Sequence, residues 1–138
     1  MPSALLAALA LSTLISTGAD HKEGRMEWQG GFCPVSRPSH RVTSNRKEWL
    51  ELWKLLGQDA PAADLKGRVA VAVFLGTKPT GGFSVHFLEP RQKDGVLLIR
   101  YRVKAPTGFA IQALTQPYAV RLFSRPSGVQ IKVEEASS

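Results

Sequence analysis

An α+β fold is expected for this chain: a mostly antiparallel sheet, or a partly closed barrel or sandwich, of about six or seven short strands with one amphipathic helix packed on it. Three observations predict it. A single segment has apolar residues at helical spacing. Most of the rest is short apolar or alternating runs, separated by turns rich in Gly and Pro. No strand–helix–strand alternation points to a parallel sheet. The 138 residues suit one domain with one core.

Residues 1–19 carry no charged side chain, and Leu5–Ile15 is apolar. Thr17 and Ala19 have the small-residue spacing of a signal-peptidase site, so a signal peptide over 1–19 is expected, with cleavage before Asp20. The stretch is shorter than the roughly 20 residues of a membrane span. Its start lacks Lys and Arg, which leaves an attached hydrophobic helix as the alternative. No cysteine follows the run, so no lipid anchor is expected. The expected location is outside the cytoplasm: periplasmic, cell-surface or extracellular. The folded domain is expected over 26–134, with a polar tail at 135–138.

Met26–Val35 reads as a strand-like run in which Gly30 and Gly31 suggest a bulge or close backbone approach. His40–Thr43 reads as a short strand. Arg46–Leu56 is the helix. Asn45 suits the N-cap, and Glu48 is placed to reach back to it. Trp49, Leu52, Trp53 and Leu56 make one apolar stripe, expected to anchor the helix on a sheet, and Gly57 is a stop. Gln58–Lys66 is a connection. Arg68–Leu75 is almost continuously apolar, as in a central strand covered on both faces. Phe83, Val85 and Phe87 alternate with Ser84, His86 and Leu88. Asp94-Gly95 marks a hairpin. Leu97, Ile99, Tyr101 and Val103 alternate with Leu98, Arg100, Arg102 and Lys104, giving an apolar face and a largely basic one. Ala105–Gln116 is a long connection. Tyr118–Phe123 and Val129–Val133 are two further strands.

Eighteen Lys and Arg against eleven Asp and Glu give a formal charge of +7. Such a balance raises nucleic acid, anionic membranes or acidic partners. For an exported chain the expectation is a solvated basic face, no nucleic acid, and at most weak attraction to an anionic envelope surface. The aromatics of the 97–104 strand lie opposite its cations, which opposes a stacking platform for single strands.

No catalytic signature is legible. His21, His40 and His86 are far apart, and none pairs with a second ligand at helix or strand spacing, so no metal or cofactor is expected. Cys33 is the only cysteine. It is expected buried, or free for intermolecular pairing. Pro34 follows it, and no helix N-terminus is there to activate a thiolate. Ser84 between Phe83 and Val85 is not a nucleophile elbow. In Gly76–Gly82 the one lysine, Lys78, precedes Gly81-Gly82 and a strand is expected to follow, so it is not a phosphate loop.

What remains is two shaped loops. Pro79, Thr80, Gly81, Gly82 and Phe83 form a turn more specific than a plain hairpin requires. Gln112, Thr115, Gln116, Pro117 and Tyr118 form a second segment that mixes amides and hydroxyls with apolar residues. These ten residues are the candidate partner-binding site, since loops on a rigid sheet carry most binding. The alternative is that the two segments meet and brace each other.

The motifs Val73-Phe-Leu-Gly-Thr-Lys-Pro-Thr-Gly-Gly-Phe-Ser-Val85 and Gln112-Ala-Leu-Thr-Gln-Pro-Tyr118 resemble the PrcB C-terminal domain family. Gly30-Gly-Phe-Cys-Pro-Val35 and Glu48-Trp49 with Leu52-Trp53 fit the same pattern, so the resemblance covers about 28–133. It implies a bacterial exported or lipid-anchored protein, in a family named for a subunit that associates with and stabilises a surface serine protease. Phe83 stands where that family commonly has Tyr. A weaker similarity is to chagasin-type cysteine-protease inhibitors. Their two paired loops are echoed by Pro79–Phe83 and Gln116–Tyr118, but the helix is not part of that pattern. The expected function is therefore an exported, non-enzymatic interaction domain, an accessory or stabilising subunit of a secreted protease complex. The alternative is a protease inhibitor presenting Pro79–Phe83 and Gln116–Tyr118 to an enzyme cleft. An enzyme using Cys33 is a third class, which predicts a reactive thiol.

Overall fold

The computed structural model describes residues 26–137. The expected signal segment 1–19, the polar start with His21, and Ser138 lie outside the described residues. Eight strands and one helix follow in order: β1 (Glu27–Gly30), β2 (Ser39–Thr43), α1 (Arg46–Leu56), β3 (Arg68–Phe74), β4 (Ser84–Phe87), β5 (Arg91–Lys93), β6 (Val96–Lys104), β7 (Tyr118–Ser124) and β8 (Gln130–Glu135). They form an α+β sandwich of two mostly antiparallel sheets, not a closed barrel.

The helix forms where its caps and stripe place it. Asn45 Oδ1 accepts from the Glu48 N–H at 2.9 Å, and Glu48 Oε1 accepts from the Ser44 N–H at 2.8 Å. The reciprocal cap thus reaches Ser44, one residue before the N-cap. Gly57 takes the left-handed conformation at φ 76°, and its N–H donates to the Lys54 carbonyl. Trp49, Leu52, Trp53 and Leu56 are all buried. Trp49 and Trp53 meet Trp28 of β1 edge to face, with ring centroids 5.5 and 5.8 Å away. Such pairs are worth about 0.5–1.5 kcal/mol each beyond the area they bury.

The first sheet has the order β1-β7-β3-β2, antiparallel throughout. Ala70, Ala72 and Phe74 of β3 face the helix with Tyr118, Val120 and Leu122 of β7. Val69, Val71 and Val73 face the second sheet with Ala119 and Phe123. β3 is therefore buried on both faces, as its unbroken apolar run predicts.

In the second sheet β6 is central. β4 and β5 line one edge of it, joined there by the Leu88 N–H donating to the Arg100 carbonyl. β8 pairs with the other edge. β5 is a strand that no apolar or alternating pattern in the sequence signals. Its residues are polar and exposed, and backbone pairing to β6 through the Asp94-Gly95 hairpin holds it. Both turn residues have positive φ, 52° and 76°, the signature of a tight type I′ turn. The β6–β8 pair is parallel, again unexpected. The chain between them passes through β7 in the other sheet, so no helical crossover is needed. β8 also runs to Glu135, past the expected end at Val133, because backbone pairing is indifferent to side-chain polarity.

Candidate functional site

Both candidate segments are crossings between the sheets. The chain leaves the first sheet after Phe74 and enters the second at Ser84. It leaves the second after Lys104 and re-enters the first at Tyr118. Phe74 pairs with Tyr118 and Ser84 with Lys104. The crossings therefore begin and end side by side at one end of the sandwich, and the register of the strands forces them to run together.

Hydrogen bonds continue the β3–β7 ladder into them. The Leu75 N–H donates to the Pro117 carbonyl at 3.0 Å. Lys78 and Thr115 form an isolated antiparallel bridge, with N–H to carbonyl distances of 2.8 and 2.9 Å. The Gly81 N–H donates to the Ile111 carbonyl at 2.9 Å. The Thr115 hydroxyl donates to the Thr80 carbonyl at 2.9 Å. The Lys78 ammonium lies 5.1 Å from the centre of the Phe83 ring, a cation–π contact.

The glycines fit this packing in different ways. Gly82 has φ 92°, and a Cβ there would sit 2.7 Å from Pro106 Cβ. Only glycine can bring that backbone against the second crossing. At Gly81 an added Cβ would meet only Ile111 Cβ, at 3.6 Å.

The ten candidate residues divide by exposure. Pro79, Gly82 and Gln112 are exposed, and Thr80, Gly81, Phe83 and Gln116 are partly covered. Thr115, Pro117 and Tyr118 are buried. The Tyr118 hydroxyl accepts from Gln58 Nε2 at 2.8 Å, and its ring packs where a Cβ on Gly30 would lie 2.6 Å from Cε1. These three side chains hold the segment down. The two segments meet and brace each other.

What the braced pair displays was not singled out by sequence. Phe109 is fully exposed, and Ile111 and Leu114 are 75% and 70% exposed. Phe32 is 69% exposed. It follows Gly31, whose carbonyl accepts from the Gln116 N–H at 2.9 Å. A protein surface carries single apolar residues routinely, but Phe109, Ile111 and Leu114 stand exposed within one short loop, which makes that loop a candidate interaction site. The signal was in the sequence as apolar residues in a non-periodic loop, where no core face can claim them.

His40 and His86 are both exposed. The Ser84 hydroxyl and His86 Nε2 are 3.4 Å apart. Among the described residues no three His, Cys, Asp or Glu side chains converge. Cys33 is buried, and desolvation pushes its thiol above the ordinary value of 9.0, with a backbone hydrogen bond from Val35 opposing. Tyr101 is pushed up by burial and by the nearby Glu135 carboxylate.

The two crossings frame a comparison with known proteins. Residues 69–121 match the PrcB C-terminal family model. The matched stretch runs from β3 into β7, so it holds both crossings and the hairpin between them. It leaves out α1, β1, β2 and β8. No curated protein and no solved structure gives a significant match. The PrcB C-terminal match thus coincides with the part of the fold that builds and braces the exposed loop.

Proposed function

We propose that this chain is an exported, non-enzymatic interaction domain that seats a protein partner on its braced crossings, as an accessory subunit of a secreted protease complex. The observation that carries the reading is the display of Phe109, Ile111 and Leu114 on a loop fixed by the Lys78–Thr115 bridge. A loop held in advance by hydrogen bonds has less ordering cost on binding, and exposed aromatic and aliphatic side chains are what a partner's pocket would bury. The PrcB C-terminal match supports the protease-complex part of the reading.

The stabilising role is tested with a secreted serine protease from the same source. Its inactivation half-life at elevated temperature is measured with and without the full chain. The reading expects a longer half-life with the chain and unchanged kcat/KM on a peptide substrate. No change in half-life sinks the stabilising role.

The inhibitor reading is favoured by one observation, that the two loops lie together at one end of the sandwich. Burial of Pro117 and Tyr118 leaves Pro79–Phe83 as its free element. Assays with papain-like and subtilisin-like proteases at micromolar chain concentration separate the two readings. Loss of protease activity favours the inhibitor.

A further inference from the structure

The outward face of the second sheet gathers six of the chain's eighteen Lys and Arg side chains. Leu97 and Ile99 of β6 and Ile131 and Val133 of β8 point into the core. Alternation then sends Arg100, Arg102 and Lys104 to the opposite face. Register adds Lys132, paired with Leu98, and Arg91 and Lys93 of β5, paired with Leu98 and Val96. Six cations thus share a face on which the strands supply one carboxylate, Glu134, a balance of 6 − 1 = +5 against +7 for the chain. Glu89 and Asp94 lie in the connections beyond it. Among the described residues no ion pair ties these six cations to a carboxylate. All but Arg100 are exposed.

We propose that this face docks the protein on an anionic phospholipid bilayer. The charges are spread over a sheet face, spaced about 6.6 Å along strands and 4.8 Å between them. Such a lattice suits many mobile phosphate headgroups, each nearby Lys or Arg contributing about fivefold in affinity. Nucleic acid fits it poorly. Phe87 and Tyr101 pack inward, so no exposed aromatic on the face can stack a base. An acidic protein also fits poorly, because the face offers no exposed aromatic anchor of the kind that protein interfaces favour. Among the described residues no helix is long and apolar enough to cross a membrane. The exposed loop at the end of the sandwich stays free for a partner, so this inference does not rest on the proposed function.

The test is co-sedimentation of the full chain with vesicles of phosphatidylcholine alone or mixed with phosphatidylglycerol, at low and high salt. Any pull from the apolar N-terminal stretch acts on both vesicle types, so the difference between them isolates the charged face. Arg102→Gln, Lys104→Gln and Lys132→Gln together should remove the preference for phosphatidylglycerol, lowering affinity roughly a hundredfold, as should high salt. Arg37→Gln, Arg41→Gln and Lys47→Gln together remove the same charge from other exposed sites and should leave most of the preference intact. Equal loss in both triples means that only net charge matters and overturns the proposal. So does equal binding to the two vesicle types. Binding of a single-stranded oligonucleotide or of polyglutamate without vesicle binding overturns it in favour of nucleic acid or of a charged peptide surface respectively.

Discussion

The Thr115 hydroxyl donates to the Thr80 carbonyl at 2.9 Å, tying together two sheet-to-sheet crossings 35 residues apart in sequence. Thr115 is buried, so its donor and the Thr80 acceptor are satisfied chiefly by each other. Thr115→Val keeps the shape and removes the donor. It should cost about 1–3 kcal/mol in urea unfolding. Thr115→Ser should cost less. Hydrogen exchange at the Gly81 and Thr115 amides should quicken in the Val variant and not at the amides of β3. Unchanged exchange at both loop amides would show that the bond does not brace the crossings.

Gly82 and Gly81 give a sharper contrast. Ala at Gly82 must hold φ 92° and place a Cβ 2.7 Å from Pro106 Cβ, so Gly82→Ala should destabilise by about 1–3 kcal/mol. Gly81→Ala meets only an ordinary contact and should change stability by less than about 0.5 kcal/mol. Thermal denaturation of the two variants checks the ordering. Equal melting temperatures would contradict the close approach of the crossings.

The tryptophan cluster predicts an unequal pair. Trp49 Nε1 donates to the Pro61 carbonyl at 3.0 Å, whereas Trp53 Nε1 is buried with no partner. Each change to Phe loses ring volume, but only Trp49→Phe also breaks a hydrogen bond and strands a carbonyl. Trp49→Phe should therefore cost about 1 kcal/mol more than Trp53→Phe in guanidinium unfolding. The reverse order would show that ring volume outweighs the bond.

Burial raises the Cys33 pKa above 9.0. The folded thiol keeps its proton to higher pH than the unfolded one. The contribution to stability is complete below the unfolded pKa and falls away as pH climbs through the folded value. Melting temperature should thus drop more steeply above about pH 9 in the native chain than in Cys33→Ser. Labelling by iodoacetamide at neutral pH should be slow until the chain unfolds. Rapid labelling of the folded chain would revive a reactive-thiol role.

The fold was legible where local chemistry decides it. Asn45, the four-residue stripe and Gly57 define the helix within the chain's own neighbourhood. The run of Val and Ala in β3 signals burial on both faces. Arg91–Lys93 was not legible as a strand, because three exposed polar residues carry no alternation and only pairing to β6 makes them one. The parallel β6–β8 pair was hidden for the same reason: a backbone ladder between distant segments leaves no side-chain pattern. At the site, the ten residues lie in the two crossings between the sheets. The fates of Thr115, Pro117 and Tyr118 depended on partners far along the chain, Thr80, Leu75 and Gln58. Polarity alone could not show that these side chains face inward while Phe109, Ile111 and Leu114 face out.

On the proposed function, the braced crossings present an apolar seat for a protease partner. Titration of the secreted serine protease from the same source into the full chain and into a variant with Phe109→Ser, Ile111→Ser and Leu114→Ser tests it most directly. Expected are saturable one-to-one binding to the native chain, at least a roughly tenfold weaker Kd for the variant, and equal melting temperatures for the two chains. Binding of equal strength by both chains, or by neither, would contradict it.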